Sequence, residues 1–587
     1  MFLVTTADQR FWKTDTPILF LGEWCRTFEQ KPVWSNLNHE VLSYHWELRE
    51  KYYQDYLGLD RLYERLLPPF AECLNALHNE KNSIRYWRII LSPWLYYFIQ
   101  TFYDRFLSIR HAIDSGKVTL TWVPHLGETD YIPKDFLTFQ EWQSRDDYNL
   151  YLYSHLIKVL GGIPFEVQNH PLGFQQRPSQ TVMGLKNRVK QGVKQMLEIY
   201  SKFTPRKLNE IVMVSLYINA SDLVRLQISL GQLPYPHSPM VMPIEVTPNL
   251  ELRKKLEIPH DQNEFESLLS KLIPKQMPTV YLEGYAELKK KAERVFPKNP
   301  KSIFYVNAHF FDEGFKVWSA ARMENGAKLL GTQHGGHYGN ALWSANETHE
   351  VKVADKYYTW GWEDESKDNL VPLSSVQLAG TRKRIGFRSR GRILWLGMSR
   401  PRYSSWMLSA PVGVQMLNYI EEQKNFLEAL HPEAKNLFTM RLFHTDYGWG
   451  IKERLNEAIS GLRFAGCNRT MYQQLCQSRL CVGTYNSTTN LETISANFPT
   501  IAFWNFDHWK LRESARPYFE DMVRAGIFHD NPESAAQKVN EIYRDPFKWW
   551  HSSSIQEARK RFCYRFARTS ESWLSEWKEE LLRVAGK

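Results

Sequence analysis

The sequence predicts an α/β protein of two Rossmann-type domains facing a central cleft, with extra helices in the N-terminal half. Three observations predict it. From residue 302 onward, short β-branched and apolar runs alternate with segments of helical spacing, the rhythm of parallel strands joined by crossover helices. Several of these runs end in polar or glycine-rich loops, where such sheets hold their ligands. The chain has 587 residues, enough for two or three domains at about 100–200 residues each.

The elements follow in order. Runs 2–6 and 18–22 read as strands, ending in polar loops that carry Asp8, Arg10 and Glu23. Helical spacing covers 47–66, 93–113 and 146–160, with a strand at 118–123. A basic helix is expected at 185–203, a buried strand at 211–218 and mostly helix over 261–295. Strand 303–308, helix 314–325 and strand 327–331 lead into a glycine-rich loop, followed by a strand at 356–359. A second unit begins near residue 390, with strands 392–396, 437–443, 479–483 and 500–504 and helices 412–430, 451–460 and 489–497. The charged stretch 361–390, with Pro372 and several glycines, reads as the linker between a domain over 1–380 and another over 390–587. No internal repeat is visible.

Bulk composition narrows the function classes. Hydrophobic residues make up 43% and aromatic residues 14%, enough for a sizeable core. A net charge of +10 favours anionic partners, yet the basic residues form no long run, zinc-finger spacing or aromatic RNA-binding signature, so nucleic acid is not an expected partner. The six cysteines include no CxxC pair, which fits free thiols in a reducing cytoplasm. The N-terminus lacks the basic start and apolar stretch of a signal peptide. The most apolar segment, 89–103, is shorter than the ~20 residues that span a bilayer. Ser92 and Pro93 would start a helix there as cap and first residue. It reads as a buried or interdomain helix; Trp94, Tyr96, Tyr97, Phe98, Phe102 and Tyr103 give a second reading, a helix on a membrane surface.

Four groups of loops carry chemistry. The strongest is Gly483-Thr-Tyr-Asn-Ser-Thr-Thr-Asn-Leu-Glu492, a strand end, polar loop and helix start. A helix start offers unpaired N–H groups and the positive dipole end, and Asn486, Ser487, Thr488 and Thr489 add side-chain donors, a competent phosphate cradle. Glu492 reads either as an acceptor for ribose hydroxyls or as the capping-box partner of Thr489. The second is Gly331-Thr-Gln-His-Gly-Gly-His-Tyr-Gly339, where glycines such as Gly335 permit close backbone approach. Gln333 and His337 there suit anion contacts, and His334 suits proton transfer. The third comprises Arg441 and His444 after strand 437–443, with Arg400 and Arg402 after strand 392–396, as anion contacts. The fourth is the N-terminal pair of loops, where Asp8 or Glu23 would act as base or nucleophile and Arg10 as an anion contact; Asp8 also reads as a helix N-cap and Glu23 as a surface loop residue. His309 and Asp312 are further candidates. No GxxxxGK[ST] loop, GxSxG elbow or DxD-like acidic cluster occurs, so no metal site is expected.

At these loops the sequence resembles a family of bacterial transferases from O-antigen and capsule clusters, GT-B-like in architecture. The opening Phe2-Leu-Val-Thr-Thr-Ala-Asp-Gln-Arg-Phe-Trp12, Ile18-Leu-Phe-Leu-Gly-Glu-Trp-Cys25, the 331–339 block and Asn486-Ser-Thr-Thr-Asn-Leu-Glu492 carry the likeness, which runs over most of the chain. The family is distantly similar to transferases that use CMP-activated 3-deoxy-octulosonic acid (Kdo), and its gene context points to nine-carbon acidic sugars such as pseudaminic acid.

The resemblance implies an acceptor-side N-terminal domain, a C-terminal domain for the nucleotide sugar, and a metal-independent glycosyltransferase without a cofactor. The implied partners are a CMP-linked acidic sugar and a glycan acceptor, free or lipid-linked. The implied location is the cytoplasm, including the inner face of the cytoplasmic membrane. The His-Pro motif of such enzymes is absent after strand 437–443: His444 precedes Thr445, and the phosphate-binding role passes to His444 alone. The rivals are a CDP-alditol transferase and a non-catalytic scaffold for glycan assembly.

Overall fold

The computed structural model describes residues 1–170, 210–234, 242–256, 258, 263–466 and 468–586. The basic helix expected at 185–203 lies outside the described residues.

Among the described residues, three five-stranded sheets organise the chain, and all their ladders are parallel. The first holds β1 (Phe2–Val4), β2 (Ile18–Phe20), β3 (His39–Val41), β4 (Leu120–Pro124) and β5 (Phe165–Gln168) in the order β3-β2-β1-β4-β5. The second holds β6 (Ile211–Val214), β7 (Ser302–Tyr305), β8 (Lys328–Thr332), β9 (Lys356–Thr359) and β10 (Leu370–Pro372), each beside its predecessor. The third holds β11 (Arg392–Leu396), β12 (Phe438–Arg441), β13 (Ser478–Gly483), β14 (Thr500–Phe503) and β15 (Phe528–His529) in the order β12-β11-β13-β14-β15.

The second and third sheets are the Rossmann-like pair of a GT-B-like fold, and loops from their carboxyl ends meet. Residues 1–380, read from sequence as one unit with added helices, hold two sheets. The first sheet hid because its strands are three to five residues long and β1 returns to β2 through only a 3-10 turn, Gln9–Phe11. Two indoles replace a crossover helix in holding this turn. Trp12 donates to the Thr6 carbonyl at 3.0 Å and Trp24 to that of Thr5 at 3.1 Å.

Two long helices follow, α1 (Arg49–His78) and α2 (Ile84–Asp114). Helix α2 corrects the expected start and bears out the buried reading over the membrane-surface one. It starts well before the Ser92-Pro93 start that the sequence suggested, with Ser83 accepting from the Tyr86 N–H at 3.2 Å, and it runs through both residues. Nor does it lie on a membrane surface. Trp94, Tyr96, Tyr97, Phe98 and Phe102 are buried, because α1, α3 (Asp146–Leu160), α4 (Glu313–Glu324) and α5 (Ala345–Val353) pack around it. A helix apolar on all sides belongs in a core when neighbours supply every face. No helix among the described residues is long and apolar enough to cross a membrane.

The 361–390 linker contains β10 and α6 (Val376–Arg382). The chain's last helix, α10 (Trp573–Val584), returns to the second sheet; α9 (Ser553–Phe566) precedes it. Trp577 stacks on Phe304 at 4.9 Å and donates to the Ser374 carbonyl at 2.7 Å. The last residues of the expected 390–587 unit therefore complete the core of the preceding one.

Candidate functional site

The glycine loop leaves β8 at Thr332 and runs to α5. Gln333 is buried and fully engaged. Its amide NH2 donates to the Gly335 carbonyl at 2.8 Å, and its oxygen accepts from the Trp360 N–H at 2.9 Å and the Trp362 indole at 2.8 Å. It shapes the loop, which corrects its assignment as a donor contact.

His334 is placed for chemistry. Its Nε2 lies 3.0 Å from a carboxylate oxygen of Glu350, which is 1% exposed, and the same oxygen accepts from the Tyr338 hydroxyl at 2.7 Å. The other oxygen accepts from Tyr357 at 2.7 Å. A carboxylate fixed in this way selects the Nε2–H tautomer and leaves Nδ1 to accept a proton. Nδ1 has no partner among the described residues, and the ring stays 19% exposed. His337 differs. Burial first, then His334, Arg400 and Arg512, push its pKa down to about 3, so it is neutral, and its buried Nε2 is without a partner among the described residues.

The facing wall is the start of α8 (Thr488–Ser495), capped by Ser487, whose hydroxyl accepts from the Asn490 N–H at 3.2 Å. The cap is thus Ser487 with Asn490, not Thr489 with Glu492. The N–H groups of Thr488 and Thr489 remain as first-turn donors without an intrahelical acceptor. Gly336 lies directly on this start: a Cβ there would meet the Ser487 oxygen and the Thr488 nitrogen at 2.5 Å. Asn340 ties the walls, donating to the Gly336 carbonyl at 2.7 Å while its oxygen accepts from Asn486 at 2.7 Å. Gly339, at φ 71°, lets the loop turn against Trp362. The Thr489 hydroxyl lies 3.3 Å from Met471 sulfur. Glu492 is buried, accepting from Tyr472 at 2.8 Å; burial raises its pKa while Tyr472, Gln377 and Arg384 oppose the shift.

The two arginines after β11 divide. Arg402 is consumed in structure. It pairs with Asp146 of α3 at 2.6 Å and donates to the carbonyls of Tyr447, at 2.7 Å, and Trp24. That corrects its reading as a donor contact: it joins the first sheet to the third. Arg400 is partly buried, and its guanidinium makes no hydrogen bond or ion pair among the described residues, with the Trp406 ring 6.0 Å away. Burial lowers its pKa, with Tyr52 and Tyr447 acting the other way.

The remaining candidates lie elsewhere. Arg441 turns to the Gln474 side chain, at 2.9 Å, and the Arg469 carbonyl, at 3.1 Å. His444 is exposed beside Phe443. Asp8 caps its own turn and pairs with Arg10 at 2.5 Å; Glu23 pairs with Arg26 at 2.5 Å. The loops bearing them face residues 446–457 of the third unit, where Phe28 meets Gly450 and Lys31 meets Glu457. Neither Asp8 nor Glu23 touches His334, so the structure does not assemble the three expected catalytic residues. His309 is buried against Phe310 and His349, and Asp312 caps α4.

Sequence reasoning missed Glu350, Tyr338 and the pair of Glu347 with Arg512 at 2.5 Å. Glu347 also accepts from the Gly339 N–H at 2.8 Å, clamping the loop end to the third unit. The available signal was Ser344 followed by Glu347 and Glu350, a cap and two carboxylates one turn apart just after the glycine loop.

A helix start with free donors, a glycine loop closing on it and a carboxylate-oriented histidine define a group-transfer enzyme. The chain belongs to the LIC12162 family of transferases, whose family model matches residues 1–581. No curated protein sequence matches it. Among solved structures it is similar to a Staphylococcus aureus MnaA–UDP complex, at 10% identity and TM-score 0.36, over 64% of this chain and 97% of that one. It is also similar to a variant of the wall teichoic acid polymerase TagF, at 9% and 0.30, over 68% and 95%. The lipopolysaccharide glycosyltransferase WaaG matches at 10% and 0.28, over 64% and 100%.

Proposed function

We propose that this transferase moves an acidic ulosonic sugar, of the pseudaminic acid or Kdo kind, from a CMP-activated donor to a hydroxyl of a bacterial surface glycan. One observation carries the reading: Gly336 sits on the Ser487–Thr488 peptide, so the α8 start and the His334–His337 loop form one wall. The phosphodiester lies against the free N–H groups of Thr488 and Thr489, where the helix dipole favours negative charge. The unpaired Arg400, close enough to act on the titration of His337, takes the sugar carboxylate. His334 Nδ1 accepts the proton of the acceptor hydroxyl, and Glu350 stabilises the imidazolium that forms. The acceptor oxygen bonds to the anomeric carbon, and CMP leaves with the electron pair of the broken C–O bond. The reading places the charge compensation on side chains and a helix end rather than on a metal, so EDTA leaves turnover unchanged.

The same reading places the enzyme in the cytoplasm, supported by the free thiols of the five described cysteines. The test is a thermal-shift titration with CMP, UMP and GMP, followed by a donor panel. A selective shift by CMP and release of CMP from CMP-ulosonates support the reading. Turnover only with UDP-sugars or CDP-glycerol, or none with any CMP-sugar, overturns the donor.

A further inference from the structure

A second concavity lies on the third sheet, far along the strands from the cleft. The cleft uses the carboxyl ends of β11 and β13. This pocket of about 530 Å³ opens beside their first residues, Arg392 and Ser478, at the β12 edge. Arg388, Arg390, Arg392, Arg463 and Arg469 line it, and no carboxylate does. None of the five forms an ion pair among the described residues, whereas surface arginines such as Arg225, Arg516 and Arg583 each have an acidic partner.

The Arg392 side chain is held in place, and main-chain contacts fix the segments that carry Arg388, Arg390 and Arg463. Arg392 is partly buried, donating to the Thr439 hydroxyl at 2.9 Å and to the carbonyls of Asn436 and Phe438 at 2.7 and 2.8 Å. Arg463 lies on a segment bridged to β12: the Met440 N–H donates to its carbonyl at 2.8 Å. The turn that presents Arg388 and Arg390 is pinned by Gly391, where a Cβ would meet the Gln477 oxygen at 2.5 Å. Burial and the charge of Arg463 together lower the pKa of Arg392, the mark of cations gathered without a counter-charge.

Like charges held together on a rigid frame cost stability unless an anion joins them. Guanidinium groups bind phosphate bidentately, and one phosphate engages two or three of them; Arg388, Arg390 and Arg463 make no side-chain hydrogen bond among the described residues, and Arg392 and Arg469 each keep one terminal nitrogen unused, so the cluster matches two phosphates. The volume falls within the range of small-ligand sites, about 300–1,000 Å³. We propose that this pocket binds a ligand carrying two or more phosphate groups, at a site separate from the catalytic cleft. Its volume suits a compact phosphate cluster. Helix α7 (Met471–Leu475) connects the two regions, since Gln474 lines the pocket while Tyr472 holds Glu492 of α8.

The test measures binding of sodium tripolyphosphate to the full chain by calorimetry at constant ionic strength. The wild type is compared with an Arg388→Gln/Arg463→Gln double variant and with Arg400→Gln. Both mutated pocket arginines are exposed and outside the core, so folding is preserved. Tripolyphosphate binding weakened about tenfold in the double variant and unchanged in Arg400→Gln supports the site with a free phosphate ligand. A second arm sediments the protein with phosphatidylcholine vesicles with and without lipids whose headgroup carries two or more phosphates. Loss of headgroup-dependent sedimentation in the double variant, without tripolyphosphate binding, supports the same chemistry supplied by a lipid. Absence of both, or equal binding by wild type and double variant, overturns the proposal. The CMP thermal shift is independent of it, and failure of either leaves the other standing.

Discussion

Gly336 rests against the peptide between Ser487 and Thr488 with no room for a side chain, so the glycine loop and the start of α8 form one structural unit. Asn340 and Asn486 fasten that unit on one side and the Glu347–Arg512 pair on the other. Any group bound at the α8 start is therefore also within reach of the loop.

Gly336→Ala places a methyl against backbone that cannot rotate away. The expected cost is about 1–3 kcal/mol, seen as a lower Tm, together with loss of the CMP thermal shift. Gly58→Ala is the control. Gly58 lies inside α1 with nothing within 4 Å of a Cβ, so alanine there stabilises by up to about 1 kcal/mol. Equal behaviour of the two variants in thermal melts would sink the docking argument.

Glu350→Gln keeps the shape but removes the charge that supports protonated His334. If His334 is the base, kcat falls about 10²–10⁴-fold while the KM for donor stays close to wild type. Tyr357→Phe removes only one of the bonds to Glu350 and has a smaller effect. A Glu350→Gln enzyme with normal kcat assigns the proton transfer to another group.

The residues that were legible in the sequence share one property: they act locally. The α8 start was readable to within a residue from a polar run between an apolar strand and a helical spacing, because capping depends on neighbours in sequence. The glycine loop was readable because close approach requires glycine. Arg402 and Gln333 were misread because their partners, Asp146 and Trp360 with Trp362, are distant in sequence or unremarkable in pattern. The first sheet was missed as a domain because its strands are too short to show a period, and the α2 surface allowed two readings, buried or on a membrane, because an all-apolar surface does not say what covers it.

Arg400 and Arg402 separate by the property each controls. Arg402→Gln leaves Asp146 without its cationic partner, with only the Tyr403 hydroxyl and the Ala7 N–H among the described residues still donating to it, and leaves the Trp24 and Tyr447 carbonyls without the Arg402 donor. The expected loss is about 2–3 kcal/mol, below the usual cost of breaking a buried pair because Asp146 keeps 30% exposure. Arg400→Gln breaks no hydrogen bond or ion pair among the described residues and loses only the distant Trp406 ring contact, so its Tm holds or rises, while the KM for donor rises about tenfold. Denaturant melts and steady-state kinetics on both variants check the division, and a destabilised Arg400→Gln contradicts it.

The contribution of Glu422 to stability should fall as pH rises from about 5 to 7, opposite in sign to that of buried neutral histidines such as His337. Burial raises its pKa from 4.5 to about 7, reinforced by Glu533 and opposed by a hydrogen bond from Asn505 at 3.2 Å. Between those two values the folded chain holds a proton that the unfolded chain has released. At this site the unfolded state thus binds fewer protons, and the share of the free energy of unfolding that Glu422 supplies declines with increasing pH. The contribution is fully present below the unfolded value and is lost as pH passes the folded one. Glu422→Gln keeps a neutral hydrogen-bonding group at every pH, so its Tm should exceed that of the wild type above pH 7 and match it near pH 4. Parallel Tm–pH curves for the two proteins would show that Glu422 ionises in the folded state as it does in the unfolded chain.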